Sequence, residues 1–195
     1  TRHAAEAEAL HALAPEIHAR KTRAYGELVA ESGLPLRPGI ARLIAEARAA
    51  GLRLAVATTT SRPNVDRLLA ANFPPDAAPF DVIAAGDEAN RKKPARDVFL
   101  LALAGLDIPA SEAVAFEESA AGISSALATR SRYTESHPLD GAFSAVSDLG
   151  EPERPHRHIA GVEWPGGVVD LANLIRVHAT LDDQSTPFQA MGTSR

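Results

Sequence analysis

The chain has 195 residues, 45% hydrophobic and 23% charged; that is enough for one core with an appendage and excludes global disorder, and no apolar run approaches the ~18 residues of a spanning helix. With 25 acidic against 20 basic side chains the formal charge is -5, so nucleic acid and anionic membranes are not expected partners, and small-molecule chemistry fits better. Cysteine is absent, which removes disulfides, thiolate zinc sites and cysteine nucleophiles together.

The opening 1-TRHAAEAEAL-10 has neither an apolar signal core nor an Arg/Ser-rich transit pattern. No targeting peptide is expected, and the compartment reads as cytoplasm or organellar stroma. A start at Thr1 hints at a fragment. Residues from Arg2 to Leu13 favour helix by composition, and Pro15 suits the first turn of a second helix running to Ser32 and stopping at Gly33. On that helix Ile17, Tyr25 and Leu28 fall along one stripe, interrupted by Lys21. Two readings stand: a lysine whose stem packs while its ammonium stays wet, or one that reaches a ligand.

After 34-LPLRPG-39 a helix is expected with Ile40, Leu43, Ile44 and Ala47 on one face, closed by Gly51. Then 52-LRLAVA-57 reads as a buried strand ending at Thr58, Thr59 and Thr60, and 60-TSRPN-64 as a cap and first turn of another helix. The pattern recurs with 80-FDVIAAG-86 as strand, 87-DEANRKKPARD-97 as charged loop, and Val98 to Ala104 as a helix ending at Gly105. It recurs again with 112-EAVAF-116 as strand, 117-EES-119 as turn with Ser119 as cap, and a helix through Leu127. Alternating strands and helices predict an α/β fold with a doubly wound parallel sheet, which takes ligands beyond the carboxyl ends of its strands. Beyond Thr129 the sequence is turn-rich, with 151-EPERPHRH-158 as an exposed loop, 168-VVDLANLIRV-177 as helix, and 182–195 as a tail. The strand expected after Leu127 looks shortened or deleted. No repeat or low-complexity block stands out.

Three strand-end features invite one explanation: Thr58-Thr59-Thr60, the lysine of 92-KKP-94, and Glu117-Glu118. Hydroxyls, backbone donors and a lysine suit a phosphate, while paired carboxylates suit a hard divalent cation bridging to it. Alone, each has a plainer reading: a capping turn, a solvated basic pair, and favourable charges at a helix start. Their shared position at one end of consecutive strands favours a magnesium-assisted phosphoryl site. His156 and His158, in a Pro/Arg-rich loop without a third ligand at suitable spacing, read as an exposed pair rather than a metal site. Trp164 reads as packing near a turn.

On 17-IHARKTRAYGELV-29, 36-LRPGIARLIAEARAAGLRLAVATTTSRPNVDRLL-69, 92-KKPARDVF-99 and 113-AVAFEESAAGISSAL-127, the chain resembles the haloacid dehalogenase superfamily and, within it, the CbbY-type sugar-phosphate phosphatases. The resemblance implies roles for matching positions: Thr58 as the strand-end hydroxyl on the phosphoryl group, Lys93 as the charge-neutralising lysine before proline, and Glu117 with Glu118 as the acidic pair holding Mg2+. Close relatives more usually have Glu-Asp there, so Glu118 carries an extra methylene. Thr59, Lys21 and Arg37 become substrate contacts, with Lys21 on a mobile helical cap. The implied organisation is part of a helical cap over 1–35, an incomplete core over 36–180 and a tail over 181–195. The implied partner is a small phosphorylated metabolite, such as a ketopentose bisphosphate, and the chain is expected to be a monomer.

The family's chemistry begins with an Asp-x-Asp loop whose first aspartate attacks phosphorus and whose second handles the leaving-group proton. No Asp-x-Asp occurs in the chain. Because the resemblance starts inside the cap, the first core strand and its nucleophile are expected to lie outside this sequence. The leading expectation is a Mg2+-dependent phosphatase working through an aspartyl-phosphate, with this chain alone inactive. The alternatives are a catalytically silent binding protein or a phosphomutase of the same superfamily.

Overall fold

A computed structural model describes residues 2–74, 79–119, 126–129 and 142–183. It divides into two compact units, one of residues 1–36 with 51–115, the other of 37–50 with 116–195.

The first unit opens with α1 (Arg2–Ser32). The two helices expected on either side of Pro15 are one helix of 31 residues with Pro15 inside it. Proline there forfeits one i→i−4 hydrogen bond, but the Ala, Glu, Arg and Leu around it have high helix propensity and carry the helix through. The packing face also differs from the expected stripe. Gly26 and Val29 are buried and Thr22 and Tyr25 half-buried, a spacing of one helical face, whereas Ile17 and Leu28 are 60% and 51% exposed. This face lies on α3 (Arg62–Asn72), where a Cβ on Gly26 would stand 3.1 Å from Arg67 Nη1. Asn72 Nδ2 donates to the Leu34 carbonyl at 2.9 Å, tying the end of α3 to the segment after α1.

Strand β1 (Ala55–Ala57) pairs in parallel with β2 (Val82–Ala84), Ala57 opposite Ala84. Helix α4 (Asp97–Leu106) covers them, with Val98 and Ala102 packed on Ala84, Ala55 and Ala57. The close approach of helix to strand depends on Gly105, whose Cβ would meet Val82 Cγ1 at 2.8 Å. Gly105 was expected to end this helix; the turn out of α4 is instead made by Asp107 in the left-handed region at φ 52. Aspartate tolerates that conformation better than most side chains.

The second unit contains α2 (Ile40–Ala49) and the four-stranded sheet β3 (Ala115–Glu117), β4 (Ala126–Thr129), β5 (Ser144–Val146) and β6 (His158–Gly161), in that order. β4 and β5 are parallel and β5 and β6 antiparallel, with a register shift at Ala145/Val146. The helix expected to run through Leu127 is therefore corrected: Ala126–Thr129 is strand, in the place where a strand looked deleted. Its run Ala-Leu-Ala-Thr is short and apolar, a pattern that periodicity alone cannot assign. The described strands make two sheets rather than one.

Helix α5 (Leu171–Asp183) outlasts the predicted segment and takes in the first residues of the expected tail. The core of this unit joins Leu43 of α2, Val146 of β5, Leu149, Trp164, Val169 and Leu174 of α5. Arg42 stitches it together, donating to Glu46 at 2.8 Å, Glu151 at 3.1 Å and the carbonyls of Gly150 and Val169 at 3.0 Å each. Glu46 in turn accepts the Leu171 amide at 2.9 Å, and Glu151 the Gly39 amide at 2.8 Å. Among the described residues no helix is long and apolar enough to cross a membrane.

Candidate functional site

The carboxyl end of β1 is built by backbone pairing. The Thr58 amide donates to the Ala84 carbonyl at 3.0 Å and the Gly86 amide to the Thr60 carbonyl at 2.9 Å, so the two strands leave the sheet side by side. Gly86 is required here, because a Cβ would lie 2.2 Å from the Thr59 carbonyl oxygen. Thr58 Oγ1 accepts the Thr60 amide at 3.2 Å, closing a short hydroxyl turn. Helix α3 begins directly after it, with Ser61 at the cap position and Pro63 in the first turn.

Neither Thr60 nor Ser61 caps that helix with its side chain. The Arg62 amide instead donates to both oxygens of Asp87, at 3.1 and 3.3 Å. A capping rule that looks only at neighbours in sequence does not find a carboxylate 25 positions away. Asp87 immediately follows Gly86, and its place beyond the end of β2 is the signal that could have revealed it.

Lys93 comes to the same strand end. Its Nζ donates to the carbonyl of Ala57, the residue before Thr58, at 3.1 Å and lies 4.6 Å from the centroid of Phe99. The aromatic face offers a second electrostatic attraction and fixes where the cation sits. Thr58 and Lys93 are thus brought together in the first unit, as their positions at strand ends implied. Thr59, exposed, belongs to the same turn. Lys92 is exposed, and Arg91 beside it forms an ion pair with Asp97 at 2.9 Å. That arginine holds the Asp97 carboxyl below the usual range through a side-chain hydrogen bond. Lys21 also belongs to the first unit and is exposed on α1, one turn before the half-buried Tyr25.

Glu117, Glu118 and Arg37 belong to the second unit. Glu117 closes β3 and accepts the Ser119 hydroxyl at 3.2 Å; the residues expected to form a helix capped by Ser119, up to 125, lie outside those described. Glu118 Oε2 stands 4.0 Å from Arg37 Nη1, an ion pair at the long limit with both side chains well exposed. Arg37 also donates to the Ser147 carbonyl. The positive neighbour of the acidic pair is thus an arginine. The pair presents only hard oxygen donors, the kind magnesium takes, and no group of three ligating side chains is assembled among the described residues. Magnesium usually draws one or two carboxylates from the protein and completes its shell with water and phosphate oxygens, so Glu117 and Glu118 fit as a protein share.

His156 corrects the expectation of an exposed pair. It is 8% exposed, and His158 begins β6 half-buried. Burial pushes the His156 imidazole below its ordinary pKa, against the opposing pull of the Asp148 carboxylate.

A model of the haloacid dehalogenase-like hydrolases matches residues 2–128, and with the strand-end threonine and lysine in place the chain belongs to that family. It is 48% identical over 142 residues to protein CbbY of Rhodobacter capsulatus and 54% identical over 144 residues to that of Cereibacter sphaeroides, matches that cover 69% and 70% of this chain and 63% of each relative. A crystal structure of a CbbY mutant from Rhodobacter sphaeroides in complex with xylulose-(1,5)bisphosphate is 45% identical, with a TM-score of 0.65 over 69% of this chain and 63% of that one. A β-phosphoglucomutase from Clostridium difficile, 15% identical with a TM-score of 0.56 over 76% of this chain and 59% of that one, shares the fold. The chain therefore spans somewhat under two thirds of the length of these two CbbY relatives.

Proposed function

We propose that this chain is the phosphate-handling part of a CbbY-like phosphatase acting on a small sugar phosphate. The observation that carries the reading is the meeting of Lys93 and Thr58 at the carboxyl end of β1, with Nζ 3.1 Å from the Ala57 carbonyl. A phosphoryl group there would take a charge-assisted hydrogen bond from Lys93 and hydrogen bonds from the Thr58 and Thr59 hydroxyls. Lys93 offsets the negative charge on the phosphoryl oxygens, while the Thr58–Thr60 turn orients them. The CbbY complex with xylulose-(1,5)bisphosphate supports a ketopentose bisphosphate as substrate. Lys21 and Arg37 are proposed as substrate contacts, each from its own unit.

Mg2+ would be held by Glu117 and Glu118, and when bound it neutralises charge on phosphoryl oxygens. The chain contributes no Asp-x-Asp, so the nucleophile that would form an aspartyl-phosphate, and its partner acid, have to be supplied from outside residues 1–195. These residues alone are expected to bind without turning over. The competing reading, a silent binding protein, shares that behaviour and is separated by restoring the motif.

The direct test is calorimetric titration of the chain with xylulose 1,5-bisphosphate and Mg2+, beside Lys93→Met. The reading predicts saturable binding weakened at least about tenfold in the variant, the loss of one charge-assisted hydrogen bond. Equal affinity in both chains would remove Lys93 from the site.

A further inference from the structure

Away from the strand-end site, the second unit has an open cavity of about 550 Å³ lined by His156, His158, Glu163, Trp164 and the Pro165–Gly167 turn. Nothing in the proposed chemistry uses it. The Nδ1 atoms of His156 and His158 are both buried and lack a hydrogen-bond partner. Two unpaired imidazole nitrogens in one place are costly to bury, and the cost is relieved when each lone pair finds a donor or a cation.

The backbone under the two rings is firmly held. The His156 amide donates to the Gly167 carbonyl at 2.8 Å, Arg157 exchanges hydrogen bonds with Ser147 at 2.9 and 3.0 Å, and His158 pairs with Val146 across the sheet. A Cβ on Gly150 would stand 2.3 Å from the Gly167 carbonyl oxygen, so the turns behind the cavity touch backbone to backbone. His158 is the first residue of β6 and His156 stands two positions before it; both line the cavity, and the two rings act on each other electrostatically.

The charges favour a cation. The Asp148 and Glu163 carboxylates both act on the His156 ring. Arg154 lies 3.9 Å from Asp148, and Arg157 is exposed between the two histidines. We propose that His156 and His158, with Glu163 at the cavity wall, form a site for a borderline divalent cation of the zinc or cobalt kind. Imidazole nitrogen selects such ions over magnesium. Among the described residues no three ligating groups are preassembled, so the third and fourth positions fall to a turn of the exposed Glu163 side chain and to water. Because both Nδ1 atoms are buried, the proposal requires each ring to turn about its Cβ–Cγ bond for that nitrogen to reach the cavity.

Trp164 is the chain's single tryptophan and lines this cavity, so its emission reports the site directly. Titration with Co2+ is expected to quench it saturably at one equivalent, to shift the imidazole nitrogen resonances of His156 and His158, and to produce a visible absorption band. Mg2+ should do none of these. His158→Gln should weaken Co2+ binding at least about tenfold by removing one of two imidazole ligands. If that variant fails to fold, the imidazole shifts of the unaltered chain decide. Quenching that Mg2+ reproduces, or Co2+ shifts confined to the other five histidines, would overturn the proposal.

Discussion

The half-buried Lys93 owes its place to two neighbours, the Ala57 carbonyl and the Phe99 ring. Its type and its position before proline were legible in the sequence, but Phe99 was not, because six residues in a loop and first helical turn carry no fixed spacing. Phe99→Leu keeps apolar bulk and removes the aromatic face; phosphate binding should weaken by a few-fold, in line with a cation–π contribution of about 0.5–1 kcal/mol, as calorimetry would register. Lys21 teaches the opposite lesson. Ile17, Lys21 and Leu28 of the expected stripe are exposed, and of its members Tyr25 alone packs, beside Thr22, Gly26 and Val29. A small glycine can mark a packing face that a tally of large apolar residues misses. The buried His156 carries a pH signature. Burial depresses its folded pKa below the ordinary imidazole value of about 6.5, so the unfolded chain takes up the proton first. The stability tied to its neutral form is present above that value and is lost as pH falls from 6.5 toward the folded pKa. Thermal denaturation should show Tm falling across that window, and His156→Gln should flatten the fall.

At the scale of elements, strand–turn–helix order was readable wherever caps and glycines bounded an apolar run, as in Ala55–Ala57 followed by Arg62–Asn72. It failed where the deciding interaction is distant. The start of α3 is capped by Asp87, and Asp87→Ala should cost about 0.5–2 kcal/mol in denaturant unfolding, whereas Ser61→Ala should cost little. Gly86→Ala is expected to be more damaging than either, since its Cβ would overlap the Thr59 carbonyl and displace the turn that carries Thr58; urea unfolding should show a loss of about 1–3 kcal/mol. Pro15 was read as a boundary because proline opens helices well, yet α1 passes through it. Pro15→Ala should raise helicity in far-ultraviolet circular dichroism. β4 was read as the end of a helix, because Ala and Leu are strong helix formers and four residues are too few to show a period.

For the molecule as a whole, the α/β class and the family were legible because three short motifs keep their order and strand-end positions across residues 17–127. The described strands fall into two sheets where the alternating pattern predicted one. The network of Arg42 with Glu46 and Glu151 was invisible apart from its i,i+4 pair, since Glu151 lies 109 residues away. The central claim is that residues 1–195 carry the phosphate-handling half of a sugar-phosphate phosphatase and lack its nucleophile. The measurement that tests it most directly is phosphate release from xylulose 1,5-bisphosphate with Mg2+ by the chain joined at its N-terminus to the Asp-x-Asp segment of a CbbY relative. Turnover is predicted for that chain, none for residues 1–195 alone, and a drop of at least about a hundredfold on Lys93→Met; a folded, extended chain that binds the bisphosphate yet releases no phosphate would contradict it.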